Sequence, residues 1–240
     1  MIVTFLIGNG FDLNLGLKTS YKDFYPFFVE KASNSNLIKN WLKEDNLLWS
    51  DMELDLGNKL KNLSVSELDE FYNSRNEMEN LLCEYLQSEQ EAVLINGKQE
   101  ELSKEMIRSI LSFHSGLSSE NTSTVQRMQN KTDNNVTYQF LNFNYTDCFD
   151  KILNEAVKQN PIARIIKAGK EKQGFIKDCF HVHGLLNDGM ILGVANKEQI
   201  GNEELRNNDE FVSVFTKMPM NNGLGERRVE IASGMIKNLV

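Results

Sequence analysis

Apolar positions along the chain change their period, and those changes mark out its elements. The opening run Ile2-Val-Thr-Phe-Leu-Ile7 is nearly all apolar and stops at Gly8-Asn-Gly10, which predicts a buried strand running into a tight turn. From Ser64 onward Leu68, Phe71, Met78, Leu82, Tyr85, Leu86 and Val93 recur at spacings near three and four or their sums. This predicts an amphipathic helix of about eight turns, ending at Asn96-Gly97. Ser20 with Asp23, Ser50 with Glu53 and Ser64 with Glu67 fit the capping-box spacing, and a further helix is expected over Gln99–Phe113. Residues 115–135 are rich in Ser, Thr, Asn and Gln and read as a polar surface loop or flap.

The second half changes texture. Val136–Phe143 alternates and predicts a strand, Asp147–Lys158 a helix, and Ala163–Lys167 a strand. Asp178–His183 and Met190–Val194 read as short strands flanking the turn signal Asn187-Asp-Gly189, and Gly225–Lys237 reads as a closing helix. This order favours one α/β domain over residues 1–240 with a mostly parallel sheet, in which residues 20–113 form a large helical insertion or cap.

Composition narrows the function classes. A chain of 240 residues can bury a sizeable core without staples. No apolar run approaches the roughly 18 residues of a membrane span, and the start lacks the charged n-region of a secretory leader. The net charge of −8 disfavours a broad nucleic-acid surface. Cys83, Cys148 and Cys179 form no C-x-x-C pair, so a reducing cytoplasm is the expected setting.

Three stretches carry candidate chemistry. Gly8-Asn9-Gly10-Phe11-Asp12, followed by Gly16-Leu17, lies where open α/β sheets bind ligands, and its glycines admit close approach of a phosphate to the backbone. Leu13 stands where the dinucleotide fingerprint requires its third glycine, so a plain strand-to-helix turn is the competing reading. Asn144-Tyr145-Thr146 closes the second strand; these side chains either hold a ribose or a water, or simply cap the next helix. His181-Val182-His183-Gly184 holds two of the chain's three histidines. On a strand the pair shares one face and presents either a general base or, with Asp178 or Asp188, a metal-ligand set.

Taken in order, GNGFDLNLGLKTSYKDF, FLNFNYTD and HVHG followed by ILGVA resemble the bacterial abortive-infection AbiH family, which acts in anti-phage defence. Trp49 and Glu53 in LWSDMELDLG also fit that family, with a packing Trp and an exposed Glu as the simplest roles. AbiH proteins resemble a distant branch of the sirtuin-like, Rossmann-related fold, and this implies a nucleotide site. By that resemblance Gly8, Asn9, Gly10, Phe11, Asp12 and Gly16 belong to a nucleotide-binding loop, with Lys18 in place of the usual proline. Asn144 would meet the nicotinamide ribose, Thr146 stands where sirtuins carry Asp, and His183-Gly184 supplies the catalytic base.

The expected ligand is NAD, with no metal, and the expected reaction is hydrolysis of its nicotinamide–ribose bond. A non-catalytic nucleotide sensor and a metal-dependent nuclease or phosphoesterase using His181 and His183 are the alternatives. A phage component or another defence protein is the implied partner. The family pattern continues into a further strand and loop, so this chain, ending at Asn238-Leu-Val240, is expected to bind NAD weakly or not at all, with low or absent hydrolysis. Its unpaired strand edge invites association with another chain; the alternative is that an earlier element closes the site.

Overall fold

A computed structural model describes residues 1–44, 52–92, 97–131, 135–167, 170–186, 188–190, 192–217, 232 and 235. The opening apolar run forms β1 (Ile2–Ile7), and the glycine turn leads into the short α1 (Gly10–Asn14). A helical series follows: α2 (Tyr21–Lys31), α3 (Leu37–Glu44), α4 (Met52–Lys59), the long α5 (Leu68–Ala92) and α6 (Gln99–Leu111). Ser20 caps α2 as its spacing predicts, its hydroxyl accepting from the Asp23 N–H at 3.2 Å. Ser64 and Glu67 pair as expected, but over a 3₁₀ turn, and α5 begins only at Leu68. Ser50 and the stretch 93–96 lie outside the described residues.

Residues 115–135 are not the loop that their composition suggests. Most of them form α7 (Ser119–Lys131), whose side chains are largely exposed. A solvated helix requires no apolar stripe, so polar composition alone does not separate it from a loop.

The sheet is completed by β2 (Val136–Asn142), then α8 (Cys148–Val157), β3 (Ala163–Lys167) and β4 (Lys170–His181). Among the described residues its strand order is β1-β2-β4-β3, with β1, β2 and β4 parallel and β3 antiparallel to β4. The fold is mixed α/β with a mostly parallel sheet. β4 is much longer than expected and ends at His181, so His183 is not on it. None of the described residues of the expected strand Met190–Val194 lies in a strand either; Val194 makes only an isolated bridge to Thr216. The chain continues through α9 (Glu203–Arg206) and α10 (Asp209–Phe215). Apart from Ala232 and Met235, the expected closing helix and the segment after it lie outside the described residues.

The side chains of β2 alternate between two environments, as its period of two requires. Tyr138 and Phe140 pack under Phe149, Leu153 and Ala156 of α8 and Ile110 of α6. Leu141 faces the other way, toward Val182 and Ala232. A separate apolar core joins α2, α3, α4 and α5 to Leu192, Val194, Ile200, Leu205, Phe211 and Phe215. The helical cap is therefore not one insertion over residues 20–113. Its core takes in the chain after the sheet, while α6 packs on the sheet.

Candidate functional site

The carboxyl ends of β1, β2 and β4 point toward the cap, and a cavity of about 350 Å³ opens between them. Its sheet side is lined by Asn9, Asp12, Phe143, Asn144, Tyr145, Thr146 and His183. Its cap side is lined by Ser20, Tyr21, Glu53, Leu82, Leu86 and Lys217, with Thr19 between the two. Parallel pairing of β1 with β2 and of β2 with β4 places these strand ends side by side.

Asp12 is the keystone of the sheet side. It sits in the first turn of α1, is only 1% exposed, and accepts the Thr146 hydroxyl at 2.7 Å and the Asn144 amide at 3.3 Å. Burial raises its pKa above the ordinary carboxylate value, with these two hydrogen bonds opposing the shift. The Asn144 amide also donates to the Gly8 carbonyl at 3.2 Å, tying the β2 end to the glycine turn. Thr146 and Asn144 do not cap α8, whose N-cap residue is Asp147. Asn9 and Thr19 exchange two hydrogen bonds, hydroxyl to Oδ1 at 2.5 Å and amide to carbonyl at 3.2 Å, which close the turn onto the start of α2.

His183 lies past the end of β4 with its ring against Phe143 and Tyr145, at centroid distances of 5.4 and 6.3 Å. Burial, and secondarily the positive charge of Lys217, push its pKa down to about 4, so the imidazole is neutral at neutral pH. His181 has other partners: Nδ1 lies 3.1 Å from the Asn144 carbonyl and Nε2 lies 2.8 Å from Asp150 Oδ2. The two histidines therefore do not share a face, because the strand whose period would align them ends at the first. Asp188 is exposed in the turn beyond, and the side chain of Asp178 lies outside the described residues.

The other glycine-loop positions differ in placement. Gly8 and Gly10 are exposed in the turn, and a Cβ at either would meet nothing within 4 Å. Phe11 does not face the cavity: it packs edge-on against Phe149, 5.0 Å away, in the core beneath the sheet. Gly16 and Gly184 hold backbone turns at φ of +89° and +82°, conformations that a Cβ disfavours. Neither lines the cavity.

The cap supplies groups that the motifs did not reveal. Glu53 is not exposed as expected; its side chain is 13% accessible, and its carboxylate accepts from Tyr21 at 3.0 Å and pairs with Lys217. Trp49 lies outside the described residues. Tyr145 is half-buried between sheet and cap, and desolvation together with the negative charge of Glu53 lifts its hydroxyl pKa well above the ordinary value. Glu53 stood in a recognisable sequence stretch, whereas Lys217 follows α10 with no local signal.

The family model described as bacteriophage abortive infection AbiH matches residues 4–229, a span that includes all three strand ends and both sides of the cavity. The chain belongs to the AbiH family. No curated protein and no solved structure matches it. AbiH membership makes it an abortive-infection protein of antiviral defence. None of the described helices is long and apolar enough to cross a membrane.

Proposed function

We propose that this AbiH protein acts in phage defence through a nucleotide bound in the sheet–cap cavity, and that it hydrolyses the nicotinamide–ribose bond of NAD. The observation that carries the reading is a neutral, half-buried imidazole, His183, lining the same cavity as the rigidly held Asn144 and Asp12. A sirtuin-like site would hold the phosphates at the adjoining glycine turn, and the open space beside Gly8 and Gly10 is compatible with that role.

Cleavage passes through an oxocarbenium-like state at the ribose, as in glycoside hydrolysis. The C1′–N bond breaks with its electron pair returning to the pyridinium, and nicotinamide leaves neutral, so no strong acid is required. His183 takes a proton from the attacking water as the new C1′–O bond forms. Asn144, fixed by Gly8 and Asp12, presents a polar edge to the ribose, and the aromatic walls Phe143 and Tyr145 limit access of water.

Nicotinamide release from NAD by the purified chain in EDTA tests the reading. Turnover that falls roughly 10²–10⁴-fold in His183→Ala, with NAD binding retained by calorimetry, is the expected result. Binding without turnover would convert the site to a sensor. Neither binding nor turnover would overturn the nucleotide reading.

A further inference from the structure

We propose that Asp150, Cys179 and His181 form a site for a borderline transition-metal ion, zinc foremost, that clamps β4 to the first turn of α8. Their donor atoms all lie within 4.8 Å of one another. Cys179 and His181 are two residues apart on β4 and share a face, in register with Phe140 and Asn142 of β2. Asp150 comes down onto that face from α8. This is a different set from the one the histidine spacing suggests, since His183 has no part in it.

The hydrogen bonding around His181 points to a cation. The Asn144 carbonyl, 3.1 Å from Nδ1, can only accept, so Nδ1 carries a proton and Nε2 of the neutral ring is a lone pair. That lone pair faces an oxygen of Asp150 at 2.8 Å, two acceptors in contact with no donor between them. A second ring proton or a metal ion fills such a gap. The Cys179 thiol, which donates a hydrogen bond to the Asp150 carboxylate, favours the metal: with its proton replaced, it completes the Cys, His and carboxylate set that suits zinc rather than magnesium or calcium.

The outer shell agrees. A ligating histidine ordinarily donates its other ring N–H to a carbonyl or carboxylate, and Nδ1–H of His181 does so to Asn144. Tetrahedral zinc, with Zn–N of about 2.0–2.1 Å and Zn–S of about 2.3 Å, separates its donors by roughly 3.3–3.6 Å. The Nε2–Oδ2 contact therefore opens by about half an ångström as the ion enters. Asp150 is 28% exposed and provides the entry side. Three protein ligands leave a fourth position for water, and binding replaces the thiol proton, which passes to solvent. Because His181 holds the Asn144 carbonyl, the ion would also stiffen the loop that lines the cavity.

Cobalt(II) titration of the chelator-stripped full chain tests the site. One equivalent is expected to bind with tetrahedral d–d bands and a near-ultraviolet thiolate-to-cobalt charge-transfer band, both abolished by zinc. Cys179→Ser should remove the charge-transfer band, while Cys83→Ser and Cys148→Ser keep it. Asp150→Asn and His181→Gln should weaken zinc by more than the roughly 10–100-fold that loss of an outer-shell partner costs. A wild-type spectrum without the charge-transfer band overturns the proposal whatever the variants do, and so does a band that survives Cys179→Ser. Nicotinamide release is read separately in EDTA, so failure of the metal site leaves the nucleotide reading standing, and the reverse holds.

Discussion

Replacing Thr146 by Val removes one hydroxyl from the centre of the site while keeping the branched shape of the side chain. That hydroxyl donates to Asp12 Oδ2 at 2.7 Å, and Asp12 is only 1% exposed. Its other side-chain donor, Asn144, is longer at 3.3 Å and shared with Gly8. A hydrogen bond to a charged group contributes about 1.5–3 kcal/mol, which in a domain of this size lowers the melting temperature by roughly 3–12 °C.

The loss must also depend on pH, with a sign that follows from Asp12. Its folded pKa is raised, so between the ordinary carboxylate value of 3.8 and that raised value the folded state binds more protons than the unfolded. The group's contribution to stability therefore falls as pH rises through that window. Removing the strongest opposing hydrogen bond raises the pKa further and widens the window, so the deficit of Thr146→Val grows with pH. Urea denaturation followed by circular dichroism should show a larger deficit at about pH 8 than at about pH 5. Thr146→Ser, which keeps the hydroxyl, should retain most of the stability. A deficit under about 0.5 kcal/mol, one independent of pH, or one equalled by Thr146→Ser would refute the account of Asp12 as a buried carboxylate held by Thr146.

Gly193→Ala would place a Cβ 2.3 Å from the Phe215 carbonyl oxygen, a backbone atom that cannot swing aside. A loss of about 1–3 kcal/mol in urea denaturation is expected, and an unchanged midpoint would show that the strap carrying Lys217 does not press on Gly193. Phe71, fully buried against Trp41 of α3 and Phe211 and Phe215 of α10, joins the two sequence-distant parts of the cap. Phe71→Ala should cost about 3–5 kcal/mol by the same assay, and a cost below about 1 kcal/mol would mean that these parts do not share a core. Glu53→Gln keeps an acceptor for Tyr21 but leaves Lys217 without its carboxylate, so ADP-ribose should bind more tightly to that variant and more weakly to Lys217→Met. Calorimetry giving the opposite order would remove Lys217 from the nucleotide site.

The sequence by itself determined the elements whose burial shows within a few turns of chain. β1 and β2 are legible because apolar and β-branched side chains mark strand faces, and α5 and α8 because one apolar stripe recurs at helical spacing. The glycine turn was legible too, since a sharp exit from the first strand calls for Gly8-Asn-Gly10 there, although that strand is half-exposed at the end of the strand order rather than buried as its apolar run suggests. β4 was only partly legible: its first residues, Lys170-Glu-Lys-Gln, are polar and become a strand by pairing with β3, a partner outside any local window. α7 was lost to its own composition, because a helix bathed in solvent has no stripe to read.

The site was decided almost entirely by tertiary structure. Asp12 meets Thr146 across 134 residues, and Glu53 meets Lys217 across 164. The two histidines look equivalent in sequence, yet the strand ends at His181, so one ring faces Asp150 and the other the cavity. Local patterns record which side of an element avoids water. Which charged or polar group meets another depends on strand order, on where each strand stops and on how the cap closes, and no residue encodes those alone.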